Sequence, residues 1–180
     1  RGMGAISHHP ARRPAVSASP LPSTDEANEE PQILPASLGD LPAERRLEKA
    51  CFPREDVWPW LESLWVLIRP GMVRLKMVHS EETIGFLSGY QQVRGAIGWI
   101  SSIGIVPAWQ GRGLGARLLL AGERALGTSL VRLTVRASNA RAIQLYEHAG
   151  YHQIQIARGY YIGGEDGLVF EKAAGRNRPD

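Results

Sequence analysis

The chain has a single cysteine, Cys51, among its 180 residues. No disulfide can form within it, and a reducing, cytoplasmic setting is expected. Flanked by Ala50 and Phe52 in a helix-like segment, Cys51 reads as buried filler rather than as a nucleophile. Long apolar runs are also missing. The longest uncharged stretch, residues 95–111, is broken by Ser101, Ser102 and Pro107, whereas a membrane-spanning helix needs roughly 18–20 consecutive apolar residues. Charge of one sign is scarce: the formal net charge is +3, and no dense basic block carries interleaved aromatics. Neither nucleic acid nor a membrane is therefore an expected partner. His79, His148 and His152 do not fall at metal-ligand spacing and read as surface or helix-end residues, so no metal is expected.

What is present fits one globular domain, with 43% apolar and 22% charged residues. Residues 1–31 are rich in proline and serine and poor in large apolar side chains. They cannot bury enough surface to offset the entropy of ordering and are expected to be disordered. Arg1, Arg12 and Arg13 precede the first acid, Asp25, but build no amphipathic helix, so an organellar address is not favoured. Residues 32–175 form the domain.

Its punctuation is regular. "QILPAS" reads as a short strand, and Asp40 as a cap for a helix through "LPAERRLEKACF". "DVWPWLESLWVLI" reads as a second helix whose Trp58, Trp60 and Trp65 face a core or groove wall. Strands follow at "MVRLKMVH", "TIGFLSGYQ" and "AIGWISSIGIV", the first two joined by a "SEE" turn. A glycine run then opens a helix reaching about Leu126. "LVRLTVRA" alternates cleanly, with Arg132, Thr134 and Arg136 on one face and Val131, Leu133 and Val135 on the other. "NARAIQLYEHAG" is a short helix capped by Ser138 or Asn139 and stopped by Gly150. "YHQIQIARGYY" and "DGLVFEKA" close a mixed α/β domain.

The glycine run, "VPAWQGRGLGARLLL" over residues 106–120, carries the chemistry. A strand entering a helix through alternating glycines leaves free backbone N–H groups at the positive end of the helix dipole, which is an anion site. The P-loop alternative lacks its Lys-Ser or Lys-Thr. Gly111, Gly113 and Ala116 do satisfy a loose G-x-G-x-x-A dinucleotide pattern. That fold, however, wants an acid about 20 residues on, where this chain has Arg132, Thr134 and Arg136. Arg112, Arg117, Arg124, Arg132, Arg136 and Arg141 gather around the run, as an anionic small ligand or merely solvated faces would require.

The segment Gln110-Gly111-Arg112-Gly113-Leu114-Gly115 resembles the Q/R-x-x-G-x-G/A pyrophosphate loop of the GNAT superfamily of acetyl-CoA-dependent N-acetyltransferases. Its context, "ISSIGIVP" before and "VRLTVRASNARAIQLYEHAGY" after, extends the resemblance over residues 32–173. The tail is most similar to the ribosomal-protein-alanine acetyltransferases. The resemblance implies a mostly antiparallel sheet of about seven strands, splayed at the acetyl-CoA site, with about four helices. It implies acetyl transfer by direct attack in a ternary complex, from acetyl-CoA to a protein or peptide N-terminal amine. A small amine is the alternative acceptor and a non-catalytic acyl-CoA-binding module a further one; the chain is expected to be a monomer or homodimer. Ile103, Gly104 and Ile105 would hold the pantetheine arm as an added strand. Gln110, Gly111, Arg112, Gly113, Leu114, Gly115 and Ala116 would cradle the pyrophosphate, with Asn139 and Ala142 against the arm. Tyr146 matches the general acid, a phenol of pKa near ~10 suited to protonating a thiolate.

The base is where this sequence departs. Thr134 stands where those relatives usually carry a glutamate, and a hydroxyl cannot accept a proton near neutrality. An α-amine of pKa ~7.7–8.0 could arrive neutral by itself, which a lysine amine at ~10.4 would do far less often. Otherwise Glu81, Glu82 or Glu165 would have to reach in from loops.

Overall fold

The computed structural model describes residues 29–51, 71–92 and 96–174. The expected disorder before residue 29 and the expected tryptophan-bearing helix lie outside the described residues.

The described chain builds one seven-stranded sheet, in the order β1-β2-β3-β4-β5-β7-β6. The strands are β1 (Gln32–Pro35), β2 (Met72–His79), β3 (Glu82–Gln91), β4 (Ile97–Ile105), β5 (Leu130–Arg136), β6 (His152–Ala157) and β7 (Gly167–Ala173). Three α-helices accompany them: α1 (Leu41–Cys51), α2 (Leu114–Leu126) and α3 (Ala140–His148). Every neighbouring pair is antiparallel except β4 and β5.

That exception positions the site. Residues 97–100 of β4 pair with residues 130–133 of β5, and there the ladder stops. From Ser101 onward β4 stays paired only with β3, so its other edge opens into a wedge. A bulge marks the parting point: Ser88 faces Ser102 while Gly89 faces Ile100, which leaves Ser101 over. Such an extra residue bends a strand and increases its twist. The Ser101 hydroxyl fills the irregularity by donating to the Ser88 carbonyl at 3.1 Å.

The core lies where α2 crosses the sheet. Leu114, Leu118, Leu119 and Leu126 recur at helical spacing and are buried. Gly122 allows the closest approach, since a Cβ there would stand 2.5 Å from Leu87 Cδ1. Glu123 is buried on the same helix, and Lys172 of β7 reaches it at 2.8 Å, so the charge is paired rather than stranded. The alternation of β5 holds: Val131, Leu133 and Val135 are buried, and Arg132, Thr134 and Arg136 are half-buried on the other face.

Two local expectations are corrected. Asp40 does not simply begin α1. It ends a 3₁₀ turn (Leu38–Asp40) and reaches back to Ser37, whose backbone N–H and hydroxyl donate to it at 2.7 and 2.8 Å. The penultimate strand stops at Ala157, because Gly159 turns the chain with φ of +58° and Asp166 accepts from its N–H at 2.9 Å.

Candidate active site

Two cavities meet inside the wedge. One, of about 570 Å³, runs from Ile103, Gly104 and Ile105 to the glycine run and along α3. The other, of about 360 Å³, lies deeper between the parted strands, against Ser101, Thr134, Arg136, Tyr161 and Glu48. Cys51, Ile103, Asn139, Ala142 and Tyr146 line both.

The larger cavity is shaped by backbone. Gly111 and Gly113 sit at φ of +81° and +75°, a left-handed conformation that side-chain-bearing residues rarely adopt. Gly113 caps α2, and a Cβ at Gly113 would meet nothing within 4 Å. The missing side chain therefore leaves open space over the first turn of a helix, where unpaired N–H groups and the dipole favour an anion.

Gln110 fixes the loop. Its Nε2 donates to the Ile105 carbonyl at 2.8 Å, and its Oε1 accepts from Arg141 of α3. Leu114 is buried in the core, so only its backbone is available to a ligand. Arg112 does not line the cavity; its guanidinium lies 4.6 Å from the Trp109 ring centroid and donates to the Ala108 carbonyl. The arginine gathering is likewise divided. Arg132 and Arg136 pair with Glu171 and Glu165 at 2.7 and 2.6 Å, while Arg141 lines the cavity.

On α3, Asn139 is the cap, accepting from the Ala142 N–H at 3.1 Å. Ala142 and Tyr146 follow on the same face, and all three reach the junction of the cavities. Tyr146 is 6% exposed and packed near Tyr151 and Phe170, with ring centroids at 6.0 and 6.3 Å. Burial pushes its phenol up to about 12, so it holds its proton throughout the physiological range.

Cys51 corrects its reading as filler. It is half-buried, lines both cavities and lies over Gly104, where an added Cβ would come within 3.2 Å of its sulfur. Burial raises the thiol to about 11, which leaves it protonated and a poor nucleophile. His79 is also more than a surface residue: its ring lies tilted against Trp109, with centroids 4.5 Å apart, beside the loop.

Of the loop carboxylates, Glu165 accepts from the Ser138 N–H at 2.8 Å and from Arg136. The Ser138 bonds, followed by Arg136, hold its carboxyl down at about 2, so it is a poor proton acceptor. Glu81 and Glu82 stand at the β2–β3 turn, and neither lines a described cavity wall. Sequence reasoning passed over Glu48, Ser101, Trp109 and Tyr161, of which Trp109 lines the larger cavity and the others the smaller. Nothing local in the sequence marks them, and only the folded wedge places them on the cavity walls.

The β4–β5 wedge thus has glycines over the first turn of a helix at one end and a buried phenol at its centre. A model of the Acetyltransferase (GNAT) family matches residues 40–151, and the chain belongs to that family, whose members take acetyl-CoA as donor. It is 34% identical to the [Ribosomal protein bS18]-alanine N-acetyltransferase of Salmonella typhimurium over 140 residues, 74% of this chain and 90% of that protein. It is 35% identical to the N-alpha-acetyltransferase RimI of Mycobacterium tuberculosis over 77 residues, which span only 42% of this chain and 49% of that relative. The crystal structure of the ribosomal-protein-S18-alanine N-acetyltransferase from Escherichia coli superimposes with a TM-score of 0.71 at 26% identity, covering 84% of this chain and all of that one. Arabidopsis thaliana NAA60 with a bisubstrate analogue shares the fold, with a TM-score of 0.71 at 20% identity over 82% of this chain and 100% of that one. No helix among the described residues is long and apolar enough to cross a membrane.

Proposed function

We propose that this acetyltransferase acts on the α-amine of a protein or peptide N-terminus, in a ternary complex, within the cytoplasm. The observation that carries the reading is the place of Tyr146 at the junction of the two cavities. A thioester lying along the larger one would bring its sulfur to the phenol, while an amine entering the smaller one would meet the carbonyl. Acetyl-CoA supplies an activated acetyl group. The open edge of β4 offers backbone groups of Ile103, Gly104 and Ile105 to the pantetheine amides. The N–H groups of residues 111–116 would hold the pyrophosphate, and Arg141 would add a cation beside them.

Amide formation then needs a neutral amine, a stabilised oxyanion and a protonated leaving group. Tyr146 donates its proton to the departing thiolate; its buried, protonated state suits that task. Tyr161 lines the smaller cavity; its hydroxyl donates to the Thr134 carbonyl at 3.3 Å and its ring lies 4.5 Å from the Arg136 guanidinium. Tyr160 and Ile162 beside it are 60% and 72% exposed, an apolar rim that suits a chain passing outward from a buried N-terminus. The names of the two curated relatives support the same acceptor class.

An acetyl-transfer assay over N-terminal peptides, lysine peptides and small amines tests the reading. N-terminal peptides should be turned over with the highest kcat/KM. Preference for a polyamine or an amino acid would replace the peptide reading with the small-amine one. Binding of acetyl-CoA with no transfer to any amine would leave a binding module.

A further inference from the structure

We propose that Glu48 of α1 is the carboxylate that receives the acceptor's ammonium group and takes its proton, the role for which position 134 carries no acid. Glu48 lines the smaller cavity together with Thr134 and Tyr146. Its Oε2 is buried and has no hydrogen-bond partner among the described residues. Among the described residues, Glu44 on the same helix is paired with Arg74, Glu165 with Arg136 and Glu171 with Arg132. A carboxylate oxygen held dry without a donor is costly. A primary ammonium entering the cavity supplies that donor.

The groups facing Glu48 come from several elements. Glu44 and Arg45 share its helix and Arg74 reaches it from β2. Arg136 of β5, Tyr146 of α3, Cys51 and the loop residue Tyr161 line the same cavity. Burial is the largest influence and pushes its carboxyl above the ordinary 4.5, with Glu44 adding to the rise and Arg45 and Arg74 opposing it. A carboxyl raised above its ordinary range is a better match to an α-amine of pKa ~7.7–8.0 than an ordinary one.

The proton balance closes. One ammonium proton passes to Glu48, and the neutral amine attacks the acetyl carbon. The C–N bond forms and the C–S bond breaks. Tyr146 gives its proton to the thiolate and regains one from the nitrogen as the amide forms, while Glu48 releases its proton to solvent.

The proposal rests on acetyl transfer to an amine, and its test uses whichever amine the wild type acetylates best. A failure of the peptide reading thus shows in the substrate panel, and a failure of this one in the variants. The pH profile of kcat/KM should rise below the amine's own pKa in the wild type. Glu48→Gln should lower kcat/KM at pH 7 by roughly 10²-fold. It should also move the rising limb up to the amine's own pKa and close the gap with the wild type at high pH. Stabilisation by acetyl-CoA should be unchanged. Glu48→Asp, which keeps a carboxylate, should retain the low-pH limb at reduced rate and serves where Glu48→Gln does not fold. A Glu48→Gln enzyme with the wild-type rate and profile overturns the proposal, as does a Glu48→Asp enzyme whose limb has moved to the amine's pKa.

Discussion

The side-chain amide of Gln110 donates to the carbonyl of Ile105 at 2.8 Å, joining the glycine loop to the last residue of β4. With Arg141 on its other end, Gln110 ties strand, loop and α3 into one frame around the larger cavity. Removing both bonds with Gln110→Ala should loosen that frame. At ~0.5–1.5 kcal/mol for each bond, the KM for acetyl-CoA should rise about 5- to 150-fold with kcat little changed. Steady-state kinetics at saturating acceptor checks this.

Gly113 gives a second measurement. A Cβ there would meet nothing within 4 Å in the folded chain, so the steric effect of a valine should fall mainly on the ligand. Its φ of +75° adds strain of about 1–3 kcal/mol for a side-chain-bearing residue. Acetyl-CoA should raise the melting temperature of the wild type, while NAD and ATP should not. Gly113→Val should melt lower and lose the acetyl-CoA shift. Equal stabilisation of the wild type by NAD would overturn the pyrophosphate assignment.

Tyr146→Phe removes one oxygen from a ring already packed near Tyr151 and Phe170. Stability and acetyl-CoA affinity should stay close to wild type while kcat falls on the order of 10²-fold. The phenol is needed protonated, and burial holds its pKa at about 12. The wild-type rate should therefore show no falling limb from this group between pH 6 and 10. Unchanged turnover in Tyr146→Phe would reduce the residue to packing.

Most of the fold was legible because its periods are strong. The alternation of β5 and the apolar face of α2 each admit one answer, and the glycine loop is local, with its flanking strand and helix making it specific. The wedge was not legible from pattern alone, since the bulge at Ser101 breaks no hydrophobic alternation and strand parting is a property of two strands together. Glu48 was missed for a related reason: "LPAERRLEKAC" carries charges all round, and nothing local separates the one that faces the cavity. Cys51 was misread because apolar flanks are shared by cores and by cleft walls.

Stability should peak at mildly acidic pH. Glu48 has a raised folded pKa, so the folded chain keeps a proton that the unfolded chain gives up. Stability should rise as pH falls through the folded value and be fully gained near the ordinary 4.5. Asp40 and Glu165 behave oppositely, each held at about 2. For Asp40 the first cause is Lys76, and for Glu165 it is Ser138. Their contribution is present above the ordinary 3.8 and 4.5 and is lost as pH falls toward 2. Melting scans from pH 2 to 8 should show this maximum, and Glu48→Gln should flatten only its neutral side.

The final prediction concerns Thr134. Arg132 and Arg136 share its face of β5, but both are already paired, with Glu171 and Glu165, so neither is poised to capture a new carboxylate. Thr134 Cγ2 packs where a Cβ on Gly167 would come within 2.7 Å, which leaves no room for a longer chain in that direction. A glutamate at 134 must turn into the smaller cavity, toward Glu48 and the entering amine. In the wild-type background two carboxylates would then share one cavity and repel, raising the pKa of one of them. In the Glu48→Gln background the new acid would stand alone. The double variant Glu48→Gln with Thr134→Glu should therefore recover about 10-fold or more of the lost kcat/KM at pH 7 and return the rising limb to lower pH. The same Thr134→Glu change alone should alter the rate far less. If the double variant is no better than Glu48→Gln at any pH, a carboxylate entering from β5 does not reach the amine in this chain.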